Sequence, residues 1–289
     1  MANIPERDAH SGVETTGHEW DGIKELNTPL PRWWLWTFYA TVLWAIGYWI
    51  AMPAWPLVSG YTAGVLGFSQ RANVAADIAA AEAAQAGLRR KIAAADLAGI
   101  RAEQELFAFA VAGGRSAFAV NCSQCHGSGG AGGTGYPNLN DDDWLWGGTP
   151  ESILQTVRYG IRSTHDETRL NDMPAFLRDD LLTPAQAGDV VEYVLSLSGR
   201  DHDAAAAARG KPVFAEQCVA CHKQDGSGNQ ELGAPNLVDG IWLYGGERPD
   251  ILATVANSRR GVMPAWDGRL DPVTLKQLAI YVHSLGGGE

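Results

Sequence analysis

The sequence predicts a mainly helical protein: one N-terminal membrane-spanning helix, a helical linker and two tandem copies of a small helical domain. Three features of the 289 residues carry this expectation. Trp33 to Met52 runs twenty residues without a charge, an alanine-rich stretch without proline follows it, and the second half of the chain repeats itself.

Residues 1–32 form a polar leader of mixed charge with prolines at 5, 29 and 31. A helix over Trp33–Met52 would be about 30 Å long, the thickness of a bilayer core. Trp33, Trp34 and Trp36 crowd one end, and Trp49 and Trp55 mark the other. Amphipathic rings prefer the membrane interface, so the pattern reads as an aromatic belt. The leader is too long for a signal peptide and no small-residue cleavage site follows, so 33–58 is expected to be an uncleaved anchor in membrane lipid. Pro53 and Pro56 should end or kink it. Tyr61–Gln70 stays uncharged, and it fits either the membrane surface or a neighbouring subunit. Gly60, Gly64 and Gly67 speak against a second membrane helix there. From Arg71 to Ala112 alanine, the best helix former, predicts one or two solvent-facing helices, which Gly113 and Gly114 should end.

The internal repeat is the strongest signal for organisation. CSQCH at 122–126 is matched by CVACH at 218–222. Pro137-Asn138-Leu139, Trp144-Leu145, Ile153-Leu154 and Thr156-Val157 each recur 98 residues later. Met173-Pro174-Ala175 recurs after only 90, at Met263-Pro264-Ala265, so the first copy is eight residues longer before its methionine. Each copy closes with an amphipathic helix, Pro184–Leu197 and Pro272–Leu285. The expected division is therefore a leader (1–32), an anchor (33–58), a membrane-proximal segment and helical linker (59–112), a first domain (113–199) and a second (200–289).

The formal net charge is −11. Phosphate backbones demand Lys and Arg, so nucleic acid is excluded as a partner. An acidic surface suits a cationic protein instead.

C-x-x-C-H is the attachment signature of haem c. Two cysteines three apart on one helical turn reach a single porphyrin, and the next histidine sits under its iron. Two such motifs inside a repeat predict two covalently bound haem c groups, on Cys122, Cys125 and His126 and on Cys218, Cys221 and His222. Four cysteines could also hold zinc, but zinc does not require a histidine after each pair. A low-spin iron takes a sixth ligand, and His/Met ligation raises its potential. Of four methionines, Met1 starts the chain and Met52 lies in the anchor. Met173 and Met263 hold equivalent repeat positions and are the expected sixth ligands. His165, within the eight-residue excess, is expected to be an exposed loop residue, with ligation of the first iron as the alternative. Arg158, Arg162, Arg259 and Arg260 precede the methionines and could pair with haem propionates. Gly127–Gly135 has no P-loop spacing and is expected to be a flexible crossing, with the segments at Pro137 and Pro235 orienting the histidines. Asp141, Asp142 and Asp143 read as a solvated turn or a docking point for a basic donor. No Ser-His-Asp, HExxH or dinucleotide pattern is present, so the expected role is transfer of single electrons without a catalytic site of its own.

The leader carries Gly17-His18-Glu19-Trp20-Asp21-Gly22-Ile23, Glu25-Leu26-Asn27 and Pro29-Leu30-Pro31-Arg32-Trp33-Trp34. With the anchor and two tandem class I cytochrome c domains behind it, the chain resembles the dihaem subunit III of cbb3-type cytochrome c oxidase over nearly its whole length. The resemblance implies a complex with a catalytic haem–copper subunit and a monohaem cytochrome c subunit. There the chain would take electrons from a donor cytochrome c and pass them toward oxygen reduction in aerobic respiration. It implies a cytoplasmic leader and periplasmic haem domains on a single-pass anchor in the bacterial inner membrane. It also assigns Met173 to the haem on Cys122 and Cys125, and Met263 to that on Cys218 and Cys221. A free-standing, membrane-tethered dihaem carrier is the alternative.

Overall fold

A computed structural model describes residues 5–287. The chain divides into two units, Met1–Glu82 and Ala83–Glu289.

The first unit opens with an antiparallel hairpin, β1 (Thr15–Trp20) and β2 (Ile23–Leu26), turned at Asp21-Gly22 with both residues at positive φ. The Nζ of Lys24 ties the hairpin to Glu6. Next comes α1 (Arg32–Ala51), a twenty-residue helix without a buried side chain. Pro29 and Pro31 hold the chain extended before it, and Pro53 stops it, as expected. Among the described residues no helix is long and apolar enough to cross a membrane. Five tryptophans and two tyrosines hold down the mean hydropathy of α1. Tyr61–Gln70 is not a second long helix. A two-residue hairpin, β3 (Pro56–Leu57) and β4 (Gly60–Tyr61), turns the chain back, and the amides of Val65 and Leu66 donate to the carbonyls of Ile50 and Ala51 at the end of α1. Those carbonyls would otherwise lack partners.

In the second unit, α2 (Gln70–Ala94) arrives from the first. The short α3 (Leu97–Ala102) follows, capped by the Asp96 carboxylate on the Gly99 amide. Helix α4 (Gln104–Asn121) then runs through Gly113 and Gly114, which do not end a helix as expected. The remaining helices are α5 (Ser123–His126), α6 (Pro150–Tyr159), α7 (Pro184–Leu197), α8 (Ala204–Gln217), α9 (Val219–His222), α10 (Arg248–Asn257) and α11 (Pro272–His283). Proline at the first helical position starts α6, α7 and α11 behind the side-chain caps Thr149, Thr183 and Asp271.

The helices assemble across the repeats, not within them. α4 of the first copy packs on α11 of the second, while α7 of the first packs on α8 of the second. Phe118, Ile153 and Val157 share one core with Leu275, Leu278 and Val282. Val190, Val191 and Val194 share the other with Phe214, Ile251 and Val255. Glycine makes both crossings possible. A Cβ on Gly114 would lie 2.2 Å from the Gln277 carbonyl oxygen, and one on Gly210 would lie 2.0 Å from that of Asp189. A third cluster, Ile92, Leu97, Ile100 and Leu106 with Val273 and Ile280, fastens the end of α2 to α11. There Lys276 Nζ donates to the carbonyls of Ile92, Ala93 and Ala95, a cation closing a helix C-terminus.

Candidate haem-binding sites

Each C-x-x-C-H motif begins where a long helix ends. Cys122 caps α4 and Cys218 caps α8, and the amides of Cys125 and Cys221 donate back to the carbonyls of Cys122 and Cys218. One tight turn thus presents two thiols and a histidine. All four cysteines are free thiols. Burial, then the neighbouring cysteine, pushes Cys122 and Cys218 up to about 11, so both stay protonated at neutral pH.

His126 Nδ1 lies 3.2 Å from the Pro137 carbonyl oxygen, and His222 Nδ1 lies 3.0 Å from that of Pro235. The orienting role expected of these segments is met by the prolines' own carbonyls. Donation from Nδ1 leaves Nε2 as the free lone pair. Burial holds both imidazoles below the usual histidine range, with the carbonyl contact opposing it. They are therefore neutral, the form that binds a metal.

The glycine run is not loose. The amide of Gly132 donates to the carbonyl of His126 at 2.8 Å, and that of Leu139 to Gly130 at 2.7 Å. The second copy repeats this with Gly228 to His222 and Leu237 to Gly226.

The methionines change partners. Met173 packs in the core that contains Cys218 and Trp242, and it lines one cavity of about 490 Å³ with Cys218, Cys221 and His222. Met263 packs with Cys122, Phe118 and Trp144. The resemblance assigns each methionine to the motif of its own repeat, whereas the structure packs it beside the motif of the other. Backbone bonds fix the exchange. Ile161 and Met263 trade amide–carbonyl bonds at 3.0 Å, the Phe176 amide donates to Val255, and the Ser258 hydroxyl donates to the Met173 carbonyl.

His165 does not reach this cavity. Its Nδ1 accepts the Glu167 amide at 3.0 Å and its ring lies against Tyr159. Arg158 is already paired with Asp267 and Arg260 with Asp172. Arg162 donates to the carbonyls of Gly261 and Asn171. Asp141 accepts the Asp143 amide within the turn, and the Asp143 carboxyl rises to about 6 through burial and the charges of Asp239 and Asp141.

Sequence reading missed Arg169, hidden in the longer loop but four residues before its methionine, as Arg259 is. Arg169 lies over the Trp146 ring and its Nε donates to Thr156. Arg259 lies over Tyr244 and its Nε donates to Thr254. Counting back from methionine would have found the pair.

Between the motifs the repeats touch directly. The Gly135 amide donates to the Leu243 carbonyl at 2.7 Å, and the Trp146 indole lies against Gly233. The arrangement offers two sites, each with two thiols, a neutral imidazole and a thioether in an apolar core, which fits haem c. Among the described residues no three His, Cys, Asp or Glu side chains gather as a metal-holding group.

Comparison with known proteins gives the same reading. The family model described as cytochrome c oxidase, cbb3-type, subunit III matches residues 109–194 and again 205–282. The model of the N-terminal domain of cytochrome oxidase-cbb3, FixP, matches 12–59. A cbb3-type cytochrome c oxidase subunit FixP from Bradyrhizobium sp. is 54% identical over 293 residues, covering 100% of both chains. A subunit CcoP of such an oxidase from Cereibacter sphaeroides is 55% identical over 290 residues, again covering 100% of both. Another CcoP, from Azospirillum brasilense, is 51% identical over 98% of this chain and 99% of its own.

Proposed function

The chain belongs to the subunit III family of cbb3-type cytochrome c oxidase, and we propose that it takes electrons singly from a donor cytochrome c and relays them through two haem c groups to the oxidase's other subunits. The observation that carries this is the pair of exchanged cores, each joining a C-x-x-C-H turn to a methionine of the other repeat.

Haem c supplies an iron that gains and loses one electron reversibly. The chain's residues do the rest. Cys122 and Cys125, and Cys218 and Cys221, would hold the two groups covalently as thioethers. His126 and Met263 would ligate the first iron, and His222 and Met173 the second. The carbonyls of Pro137 and Pro235 keep the imidazoles in register. The apolar cores beside the two motifs would limit the access of solvent to the groups. With a histidine and a methionine committed to each group, this subunit would have no catalytic site of its own, and oxygen chemistry would belong to a haem–copper partner. A monohaem cytochrome c subunit is the other expected neighbour.

Helix α1 is the proposed single-pass anchor in the inner membrane. Its twenty residues follow Arg32 without a charge, none is buried within the chain, and tryptophans stand at both ends. Indole lowers mean hydropathy yet prefers the interface. The leader (1–32) would then be cytoplasmic, and the linker (59–112) and domains (113–199 and 200–289) periplasmic, where haem c is attached.

A reduced-minus-oxidised spectrum with oxygen uptake, on protein purified from membranes in mild detergent, tests the proposal. Co-purifying b-type haem and oxygen uptake driven by reduced cytochrome c are expected. A stable preparation with two c-type haems per chain and no oxygen uptake would leave a tethered carrier instead.

A further inference from the structure

The C-terminal end of α1 carries a compact fold-back that electron transfer leaves unused. The Val65 amide donates to the Ile50 carbonyl at 2.9 Å and the Leu66 amide to that of Ala51 at 3.1 Å. Within the fold-back, the Thr62 amide donates to the Trp55 carbonyl at 2.9 Å, and the Trp55 amide donates to the Thr62 hydroxyl oxygen at 3.0 Å. Gly64 is the joint. Its φ is +73°, and a Cβ there would lie 2.5 Å from the Ala51 carbonyl oxygen. The segment is therefore held in place, yet its apolar side chains face outward: Leu57, Val58, Tyr61, Val65 and Leu66 are each at least 60% exposed. Beside them Ile46, Trp49, Ile50, Trp55 and Val65 line an apolar cleft of about 580 Å³. The Trp49 and Trp55 rings meet there edge to face at 4.7 Å. Exposed apolar surface of this kind marks a contact with something other than water.

Charge and strand geometry identify what covers it. Residues 33–70 carry no charged side chain, and the charges that bracket them are Arg32 and Arg71. Cations at both limits complement headgroup phosphates. Successive strand residues point to opposite faces, and both residues of β3 and both of β4 are exposed, so the hairpin is uncovered on its two faces. A protein docked on one side would leave the other in water, whereas a lipid surface surrounds both. We propose that residues 55–68 are a second lipid contact, an interfacial foot. Leu57, Val58, Val65 and Leu66 enter the headgroup–acyl boundary, and the cleft at Trp49 and Trp55 takes an acyl chain. Hydrogen bonding limits the depth. The outer edges of a two-stranded hairpin present open amides and carbonyls, which hydrocarbon does not tolerate. The foot therefore stops at the interface, about 5–10 Å deep. It holds one end of α1 against sliding along the membrane normal without crossing the bilayer a second time.

This rests on the reading of α1 as a membrane anchor, and the test separates the two. A nitroxide is attached to Leu43→Cys, Val58→Cys, Leu66→Cys or Ala80→Cys, one at a time, in the full haem-loaded chain, whose native cysteines are spent in thioethers. Each variant is measured alone in phosphatidylcholine vesicles and again in the purified oxidase. Oxygen serves as the membrane-soluble relaxant and a nickel chelate as the aqueous one. The label at 80, on the exposed and charged α2, is the reference for water. Relative to it, labels at 58 and 66 are expected to lose relaxation by nickel and gain it by oxygen, in vesicles and oxidase alike, at a shallower depth than the label at 43. Gly64→Ala, which undoes the joint, is expected to return the label at 66 to nickel and leave that at 43 protected. Labels at 58 and 66 open to nickel in vesicles and protected only in the oxidase would place a neighbouring subunit on the foot and overturn the proposal. Free access of nickel in both preparations would overturn it too. A label at 43 open to nickel would instead overturn the anchor reading beneath it.

Discussion

His126 and His222 are each held by one carbonyl, and that bond decides which ring nitrogen is free for a metal. The methionines act at the same scale. Replacing Met263 with Leu keeps the volume of the core but removes a thioether. A fall on the order of 0.1 V, within the ~0.8 V that axial ligands span, is expected in the haem on Cys122 and Cys125. The haem on Cys218 and Cys221 should hold its potential, and a redox titration of the variant reads both. A shift confined to the latter would restore the pairing within repeats. Asp143 offers a pH test. Burial and the charges of Asp239 and Asp141 raise its carboxyl to about 6, above its unfolded value, so the folded state binds the extra proton. Its ionised form therefore costs stability above pH 6, and that cost disappears as pH falls toward 4. Asp143→Asn should stabilise the protein at pH 8 by about 1 kcal/mol, allowing for solvent screening of a half-exposed group. It should do little at pH 4, and thermal melts at the two pH values check this. The motifs themselves were legible in the sequence because their chemistry is local: two cysteines and a histidine within five residues. The methionine partners were not, because a repeat makes Met173 and Met263 interchangeable on paper.

Helix identities were readable for physical reasons that stay within an element. Pro150, Pro184 and Pro272 behind polar caps mark three starts, and Pro53 marks a stop. Gly113 and Gly114 misled, because glycine ends helices by adopting positive φ but also serves where two backbones must touch. Gly114 stays helical and faces Gln277 across a crossing that only tertiary structure reveals. The crossings yield an element-scale prediction. Gly210→Ala places a methyl against the Asp189 carbonyl, so α7 and α8 must separate. Overpacking of this kind costs about 1–3 kcal/mol, and the midpoint of thermal unfolding should drop by several degrees. Gly87→Ala, with nothing within 4 Å of the added carbon, is the control and should not lower it.

At the scale of the molecule, the two repeats are separable in sequence and inseparable in space. Neither copy contains a pair of helices that packs on itself as α4 packs on α11. Residues 104–199 produced alone should therefore remain largely unfolded, and the complete chain should melt both cores together. Circular dichroism of the fragment and calorimetry of the whole chain measure these outcomes, and a cooperatively melting fragment would refute the exchange. The exchanged pairing also orders events during synthesis. Cys122 leaves the ribosome early, yet Leu275, Leu278 and Val282, which complete its core, leave almost last. At about 5–20 residues per second, the first attachment turn waits roughly ten to thirty seconds after its emergence before α11 can cover it. During that interval its thiols remain uncovered, while the second turn has far less time before its own lid, α7, already made, can close. A ribosome that stalls or a protease that trims the last thirty residues would thus damage the first site, the one whose own sequence lies farthest away.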